Sequence, residues 1–227
     1  MYHEPVLLNA SIEGLAIRPS GIYVDATFGG GGHSRAILDH LTDGRLIAFD
    51  QDDDTRDNNI EDDRFMLINA NYRYIKNFLD YLGLIPIDGI IADLGVSSHQ
   101  IDTAERGFST RQEAELDLRM DRNNPFTAKQ LINEYGKEQL REVFSNYGEI
   151  RNASRLAATI INHREKQSIN TTKELGEIVR TLAPRGKDNQ FMARVFQSLR
   201  IEVNQELDDL KVFLQKSVEL LNVGGRM

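Results

Sequence analysis

The sequence predicts an α/β protein built on a parallel sheet, with an all-helical segment inserted late in the chain. Three observations carry this. Short apolar runs alternate with helical patterns over roughly the first hundred residues. Four consecutive glycines, residues 29–32, separate the first apolar run from the helical pattern after it. From residue 105 to residue 205 no strand pattern is present while helical periodicity continues. Alternating β and α units imply a parallel sheet with right-handed crossovers and a ligand crevice at the carboxyl ends of its strands.

The elements follow in order. Residues 22–27 form a short apolar strand, and the glycine loop continues as a helix over 34–41. Residues 45–49 give a second strand and 65–68 a third. Over 72–82, Ile75, Phe78, Leu79 and Leu82 recur at helical spacing and mark an amphipathic helix. Residues 87–94, Ile-Asp-Gly-Ile-Ile-Ala-Asp-Leu, form a fourth, buried strand. Asp25, Asp50 and Asp93 each fall at or near a strand's carboxyl end. Helices are expected over 128–135, 137–147, 153–164 and from Thr172, where Thr171-Thr-Lys-Glu174 reads as a capping box. A long amphipathic helix over 205–221 leads to Val223-Gly-Gly-Arg-Met227, which has the form of a turn. The domain boundaries implied are 1–104, 105–205 for the helical insertion, and 206–227 for the return to the first domain.

Composition narrows the chemistry. With 227 residues, 40% of them hydrophobic, the chain is long enough for one α/β domain with an insertion. It has no cysteine, which excludes disulfides, thiolate metal sites and thiol nucleophiles. His3, His33, His40, His99 and His163 show no metal-ligand spacing, so no metal is expected. No apolar run approaches the roughly 18 residues of a membrane span, and the N-terminus lacks a signal peptide's pattern, so the expectation is a cytoplasmic protein with no membrane partner. The net charge of −8 is unevenly spread. Residues 105–205 hold 17 Lys and Arg against 14 Asp and Glu, which leaves 10 against 21 for the rest of the chain. Within 151–200 the count is 10 against 4, a basic helical segment in an acidic protein.

The glycine stretch, Val24-Asp-Ala-Thr-Phe-Gly-Gly-Gly-Gly-His33, and the strand ending Phe49-Asp50 read together as a nucleotide-cofactor cradle. Glycine lets a ligand approach the main chain closely, and a carboxylate at the tip of the next strand can accept both hydroxyls of a ribose. Gly32 and Asp50 are 18 residues apart, near the roughly 20 expected for such a pair. No lysine follows the glycines, so a G-x-x-x-x-G-K-[ST] phosphate loop is excluded; in the G-x-G-x-x-G fingerprint Gly30 and Gly32 can be the first pair, but Arg35 takes the third place. That favours an adenosine ligand that needs no pyrophosphate site. S-adenosylmethionine is the first candidate, and NAD, with an oxidoreductase activity, the alternative.

Polar groups crowd Asp93-Leu-Gly-Val-Ser-Ser-His-Gln-Ile-Asp102, Arg106-Gly-Phe-Ser109 and Leu116-Asp-Leu-Arg-Met-Asp121, and chemistry alone allows either a catalytic loop or a well-capped turn. With His3-x-Pro-Val-Leu, the glycine segment, Val195-Phe-Gln-Ser-Leu-Arg-Ile-Glu-Val-Asn204 and Gly224-Gly-Arg, the chain closely resembles the bacterial small-subunit ribosomal RNA (cytosine-N4)-methyltransferase family, over nearly its whole length. The resemblance implies a Rossmann-like class I methyltransferase sheet and methyl transfer from S-adenosylmethionine to the exocyclic amine of a decoding-region cytidine, with the RNA presented in an assembled or late-assembling 30S particle. A non-catalytic ribosome-binding protein with a relic cofactor site is a further alternative. Carried over by position, the resemblance implies cofactor contacts from Gly31, Gly32, His33, Asp50, Tyr72, Asp93 and Gln100. Tyr72 stands where the family usually has phenylalanine, His99 where it has proline, Thr110 where it often has phenylalanine and Leu118 where it often has methionine.

Cytosine's amine is a poor nucleophile because its lone pair is delocalised, so an acceptor for an N–H bond is expected nearby. The Asp/Asn-Pro-Pro-aromatic loop that often supplies one is replaced here by Asp93-Leu-Gly-Val. Asp93 with Ser97 or Ser98 is the catalytic candidate. The basic segment, with Arg151, Arg155, Arg164, Lys166, Arg180, Arg185 and Lys187, is the expected RNA-binding element, and Phe191 and Phe196 are read as core before base-stacking groups. The resemblance also implies a further apolar strand after Met227, so the sheet is expected to be incomplete, with an open edge beside Ile90, Ile91 and Leu94.

Overall fold

The computed structural model describes residues 5–227, so His3 of the N-terminal motif lies outside the described residues. Two compact units are present, Met1–Ser97 with Leu207–Met227, and Ser98–Glu206.

In the first unit the chain runs α1 (Leu8–Leu15), β1 (Ile22–Asp25), α2 (Gly32–Leu38), β2 (Arg45–Asp50), β3 (Phe65–Asn69), α3 (Ile75–Leu82) and β4 (Ile87–Ile91). The strands form one parallel sheet in the order β3-β2-β1-β4, with Val24 opposite Ile47 on one side and Ile90 on the other. Alternation along the strands covers both faces. Tyr23 and Leu46 pack with Leu15, Ile37 and Leu38, while Val24, Ile47 and Phe49 pack with Ile75 and Leu79. The sheet is therefore wound with helices on both sides, and its order reverses between β1 and β4, which places a crevice at their carboxyl ends.

β4 is shorter than the sequence predicts. Beyond Ile91 the backbone leaves the ladder because the Asp93 N–H donates to Thr27 Oγ1 at 2.7 Å.

The second unit opens with the short α4 (Ser98–Asp102); α5 (Ala128–Glu134), α6 (Lys137–Asn146), α7 (Ala153–Arg164), α8 (Thr172–Arg180) and α9 (Asp188–Asn204) then close around Phe144, Leu156, Ile160, Leu175, Val195 and Leu199. The capping box forms as expected: the Glu174 N–H donates to Thr171 Oγ1 at 3.2 Å and the Thr171 N–H to Glu174 Oε2 at 3.1 Å. Phe191 and Phe196 are buried in this core, so neither offers a face to a base.

The chain then returns through α10 (Glu206–Leu220) to β5 (Leu221–Arg226). This corrects the expected open edge: β5 lies parallel to β4, Ile87 opposite Leu221 and Gly89 opposite Arg226. The segment read as a turn is itself the strand. Asn222 Nδ2 donates to Asp88 Oδ1 at 2.9 Å, and the ladder shifts register between Ile87 and Gly89 where Gly224 takes φ +81°. No helix among the described residues is long and apolar enough to cross a membrane.

Candidate functional site

The glycine loop is fixed from both sides of the sheet. The Phe28 N–H donates to the Phe49 carbonyl at 3.0 Å, and the Gly29 N–H to Asp50 Oδ2 at 2.8 Å. Asn58 Nδ2 holds the Gly29 carbonyl at 3.0 Å, and Arg35 Nη1 holds that of Gly30 at 2.7 Å. Arg35, which breaks the dinucleotide fingerprint, thus braces the loop. Gly29 and Gly31 have φ of +51° and +75°, conformations that L side chains rarely adopt. A Cβ at Gly29 would meet no neighbour within 4 Å, so the loop's outer side is open to a ligand.

Asp50 does two things at once. Its Oδ1 also accepts from the Asp52 N–H at 2.9 Å, yet a carboxylate has about four acceptor positions, so capacity remains for hydroxyl donors. Burial pushes its carboxyl up to about 6, against the lowering effect of the Asp52 and Gly29 N–H groups; the Asp52 and Asp25 carboxylates raise it further. The raised value fixes two opposite pH responses. A carboxyl whose pKa is higher folded than unfolded opposes folding when ionised, so its contribution favours the fold below the unfolded value of 3.8 and is lost as pH rises through about 6. An acceptor role for Asp50 toward ribose hydroxyls calls for its ionised form. Affinity for S-adenosylmethionine should therefore fall as pH drops below about 6, and calorimetry between about pH 5 and pH 8 should show that break in the native chain and not in Asp50→Asn. A pH-independent affinity in the native chain would refute the assignment.

The other expected cofactor residues divide between the two units. Gly31 caps α2 and Gly32 begins it. His33 is buried, and among the described residues its Nε2 has no hydrogen-bond partner. A buried, unsatisfied ring nitrogen beside an open glycine loop fits a polar ligand. Asp93 is exposed two residues past β4 and tied to Thr27, which follows β1; Ser97 lies four residues on. Tyr72 follows β3, its ring edge-on to Phe213 at 5.0 Å. Ser98 and Gln100 sit on α4 of the helical unit, Ser98 exposed and Gln100 buried.

Sequence reasoning assigned no role to Asp25, Asn58, Asn71 or Asp209. Asp25 is fully buried at the end of β1 and accepts from Ser34 Oγ at 2.7 Å and the Thr27 N–H at 3.1 Å. Burial holds its carboxyl above the usual range despite those bonds. Asn58 and Asn71 carry a weak local signal, since Asx residues favour turns and caps, and Asn71 caps the turn at Tyr72–Tyr74.

In the helical unit, Arg151, Arg155, Lys166, Arg180, Arg185 and Lys187 are exposed. Arg164 differs: it is half-buried, and its Nη1 donates to the Ile132 carbonyl at 2.6 Å, which fixes α7 to α5. The motifs at 106–109, 116–121 and 195–204 meet in a buried polar knot. Arg106 Nη2 donates to the carbonyls of Arg119 and Met120 at 3.1 and 2.9 Å. Asn204, at the end of α9, accepts from the Met120 N–H at 2.7 Å and donates to the Leu118 carbonyl at 2.8 Å.

The model of the MraW methylase family matches residues 1–227. Ribosomal RNA small subunit methyltransferase H of Christiangramia forsetii is 51% identical over 227 residues, 100% of this chain and 75% of the relative. The protein of the same name from Cytophaga hutchinsonii is 54% identical over 229 residues, 100% of this chain and 77% of the relative. Among solved structures, an rRNA methylase from Streptococcus thermophilus is 21% identical with a TM-score of 0.30, covering 51% of this chain and 71% of its own.

Proposed function

The chain belongs to the MraW methylase family, and from that premise we propose that it transfers a methyl group from S-adenosylmethionine to the exocyclic N4 amine of a cytidine in the decoding region of small-subunit ribosomal RNA. The observation that carries the reading is the strand-end cradle, where an open glycine loop is hydrogen-bonded to Asp50 and Asp93 is anchored to Thr27. Family membership sets aside the oxidoreductase alternative. The substrate context is a 30S particle in the bacterial cytoplasm.

S-adenosylmethionine, when bound, supplies a methyl group already activated by its sulfonium charge. The chain's task is placement. Gly29 admits the ligand to the main chain, Asp50 accepts ribose hydroxyls, and Tyr72 offers a ring to the base. Asp50 and Asp93 collect negative potential where a cationic ligand sits. Asp93, helped by Ser97 or Ser98, accepts an N–H of the cytosine amine and so makes its lone pair more available. Being exposed, Asp93 can pass the released proton to water. Attack at the ring carbon would call for a covalent nucleophile such as a thiolate, and the chain has no cysteine.

The deciding experiment is transfer of labelled methyl to naked small-subunit RNA and to 30S particles, followed by nucleoside analysis. N4-methylcytidine is the expected product; methyl on a ring carbon, or none with either substrate, overturns the proposal.

The exposed cations of the helical unit are assigned to the RNA backbone. Reversing Arg151, Arg155 and Arg180 to glutamate should weaken RNA binding and leave cofactor affinity intact. With about 0.7 units of log–log salt slope per phosphate contact on single strands, the slope should flatten by about 2. Arg164 is left in place because its charge serves the Ile132 carbonyl. An unchanged slope would move the RNA face elsewhere.

A further inference from the structure

Asp209 is a carboxyl group buried to 3% exposure on α10, far in sequence from every expected cofactor residue. Its Oδ2 accepts from Asn71 Nδ2 at 2.6 Å, and Arg73 Nη1 lies 2.7 Å from its Oδ1. The same Asn71 Nδ2 donates to Gln51 Oε1 at 2.8 Å, and Gln51 directly follows Asp50. Asn71 Oδ1 accepts from the Arg73 N–H at 2.8 Å, which closes the turn around Tyr72. Four residues along α10, Phe213 meets the Tyr72 ring at 5.0 Å, and Lys216 Nζ donates to the Arg73 carbonyl at 2.7 Å. One face of α10 therefore holds all three residues 71–73, and through Asn71 it reaches the turn after β2.

We propose that Asp209 is a positioning residue for the methyl donor: acting through Asn71 and Arg73, it sets the turn that follows Asp50 at the end of β2 and the turn that carries Tyr72. The inference rests on the reading that these two residues contact the cofactor. A buried carboxylate is costly unless paired, and here its partners lie on the loop between β3 and α3, with a second link to the turn after β2. Placing the acceptor for the ribose and the ring for the base relative to one another is the specific consequence.

The test is calorimetric affinity for S-adenosylhomocysteine in the absence of RNA, set beside steady-state kinetics of the full chain, with Asp209→Asn, which keeps shape and removes the charge, and with Arg73→Gln, whose partly exposed side chain makes it the milder change; the dissociation constant should rise in step with the cofactor KM. KM for S-adenosylmethionine should rise about tenfold, the order expected for loss of a charge-assisted bond. The kcat at saturating cofactor and the KM for RNA should stay within about twofold. The double variant should lose no more than the worse single variant, since both act through one brace. Glu219→Gln, which breaks the exposed pair between Lys76 of α3 and α10, serves as the control that should change neither. Unchanged cofactor KM in the folded variants, while Asp50→Ala raises it, overturns the brace alone. If Asp50→Ala also leaves it unchanged, the cofactor placement fails and the proposal with it. Parallel rises in both KM values with a fall in kcat would show general loosening and equally overturn it. Should Asp209→Asn fail to fold, Arg73→Gln decides by the same readouts.

Discussion

Asn204→Ala should destabilise the helical unit by about 3 kcal/mol, because it strands two buried backbone groups that each cost about 1–3 kcal/mol when left unsatisfied. Those groups are the Met120 N–H and the Leu118 carbonyl, held by the Asn204 amide at 2.7 and 2.8 Å. Leu118 and Met120 are buried, at 1% and 6% exposure, so water has poor access to replace the amide. The loss is amplified by conformation. Leu118 has φ +62°, a left-handed geometry that costs a bulky residue about 1–3 kcal/mol and persists only while its surroundings enforce it. Arg106 enforces it from the other side, its carbonyl accepting the Leu118 N–H at 3.2 Å. Urea unfolding followed together with amide exchange over residues 116–124 is the measurement. Early exchange in that loop and a lowered midpoint are expected, and a variant within about 0.5 kcal/mol of the native chain would show that the knot carries no stability.

That knot marks how far the sequence could be read. The motifs at 106–109, 116–121 and 195–204 stood out because they are dense in polar groups, and polar density does not separate a catalytic loop from an internal brace. The distinction lies in burial and partner, which pair Asn204 with residues 84 and 86 positions away. Strands β1 to β4 were legible because each is a short apolar run between turn signals, rich in β-branched or aromatic residues. The capping box at Thr171 was legible because its two bonds are local. β5 was not. Val223-Gly-Gly-Arg-Met227 reads as a turn from its glycine pair and Leu221 as the end of a helix, and only the docking of Asn222 on Asp88 and of Leu221 opposite Ile87 makes 221–226 a strand. Tertiary context overrode propensity there, as is common for edge strands.

The site divides along the same line. Gly29 and Gly31 at positive φ, and the bond from the Gly29 N–H to Asp50, are what a strand-loop-strand cradle demands, so residue type and spacing sufficed. Asn58, Asn71 and Asp209 were out of reach because each acts on a segment distant in sequence: Asn58 on Gly29, Asn71 on Gln51 and Asp209, and Asp209 on Arg73. Arg164 shows the converse error. Its charge placed it with the RNA-binding cations, while its half-buried guanidinium serves a carbonyl inside the fold.

Asp50→Ala should weaken S-adenosylmethionine binding by about 1.5–3 kcal/mol, or roughly 10- to 150-fold in affinity, if bonds from two ribose hydroxyls to a charged acceptor are lost. The structure adds a second route to the same loss. Asp50 Oδ2 is the acceptor for the Gly29 N–H, so alanine also frees the glycine loop that must present its backbone to the ligand. The two contributions separate with Asp50→Asn, whose remaining carbonyl oxygen can keep the Gly29 bond while its amide can no longer accept a second hydroxyl. If ribose recognition dominates, the asparagine variant binds nearly as weakly as alanine; if loop support dominates, it binds nearly as well as the native chain. Calorimetric affinities of the two folded variants decide, with RNA affinity measured alongside and expected to be unchanged. Native cofactor affinity in Asp50→Ala would remove this carboxylate from the site and leave the open glycine loop without its acceptor.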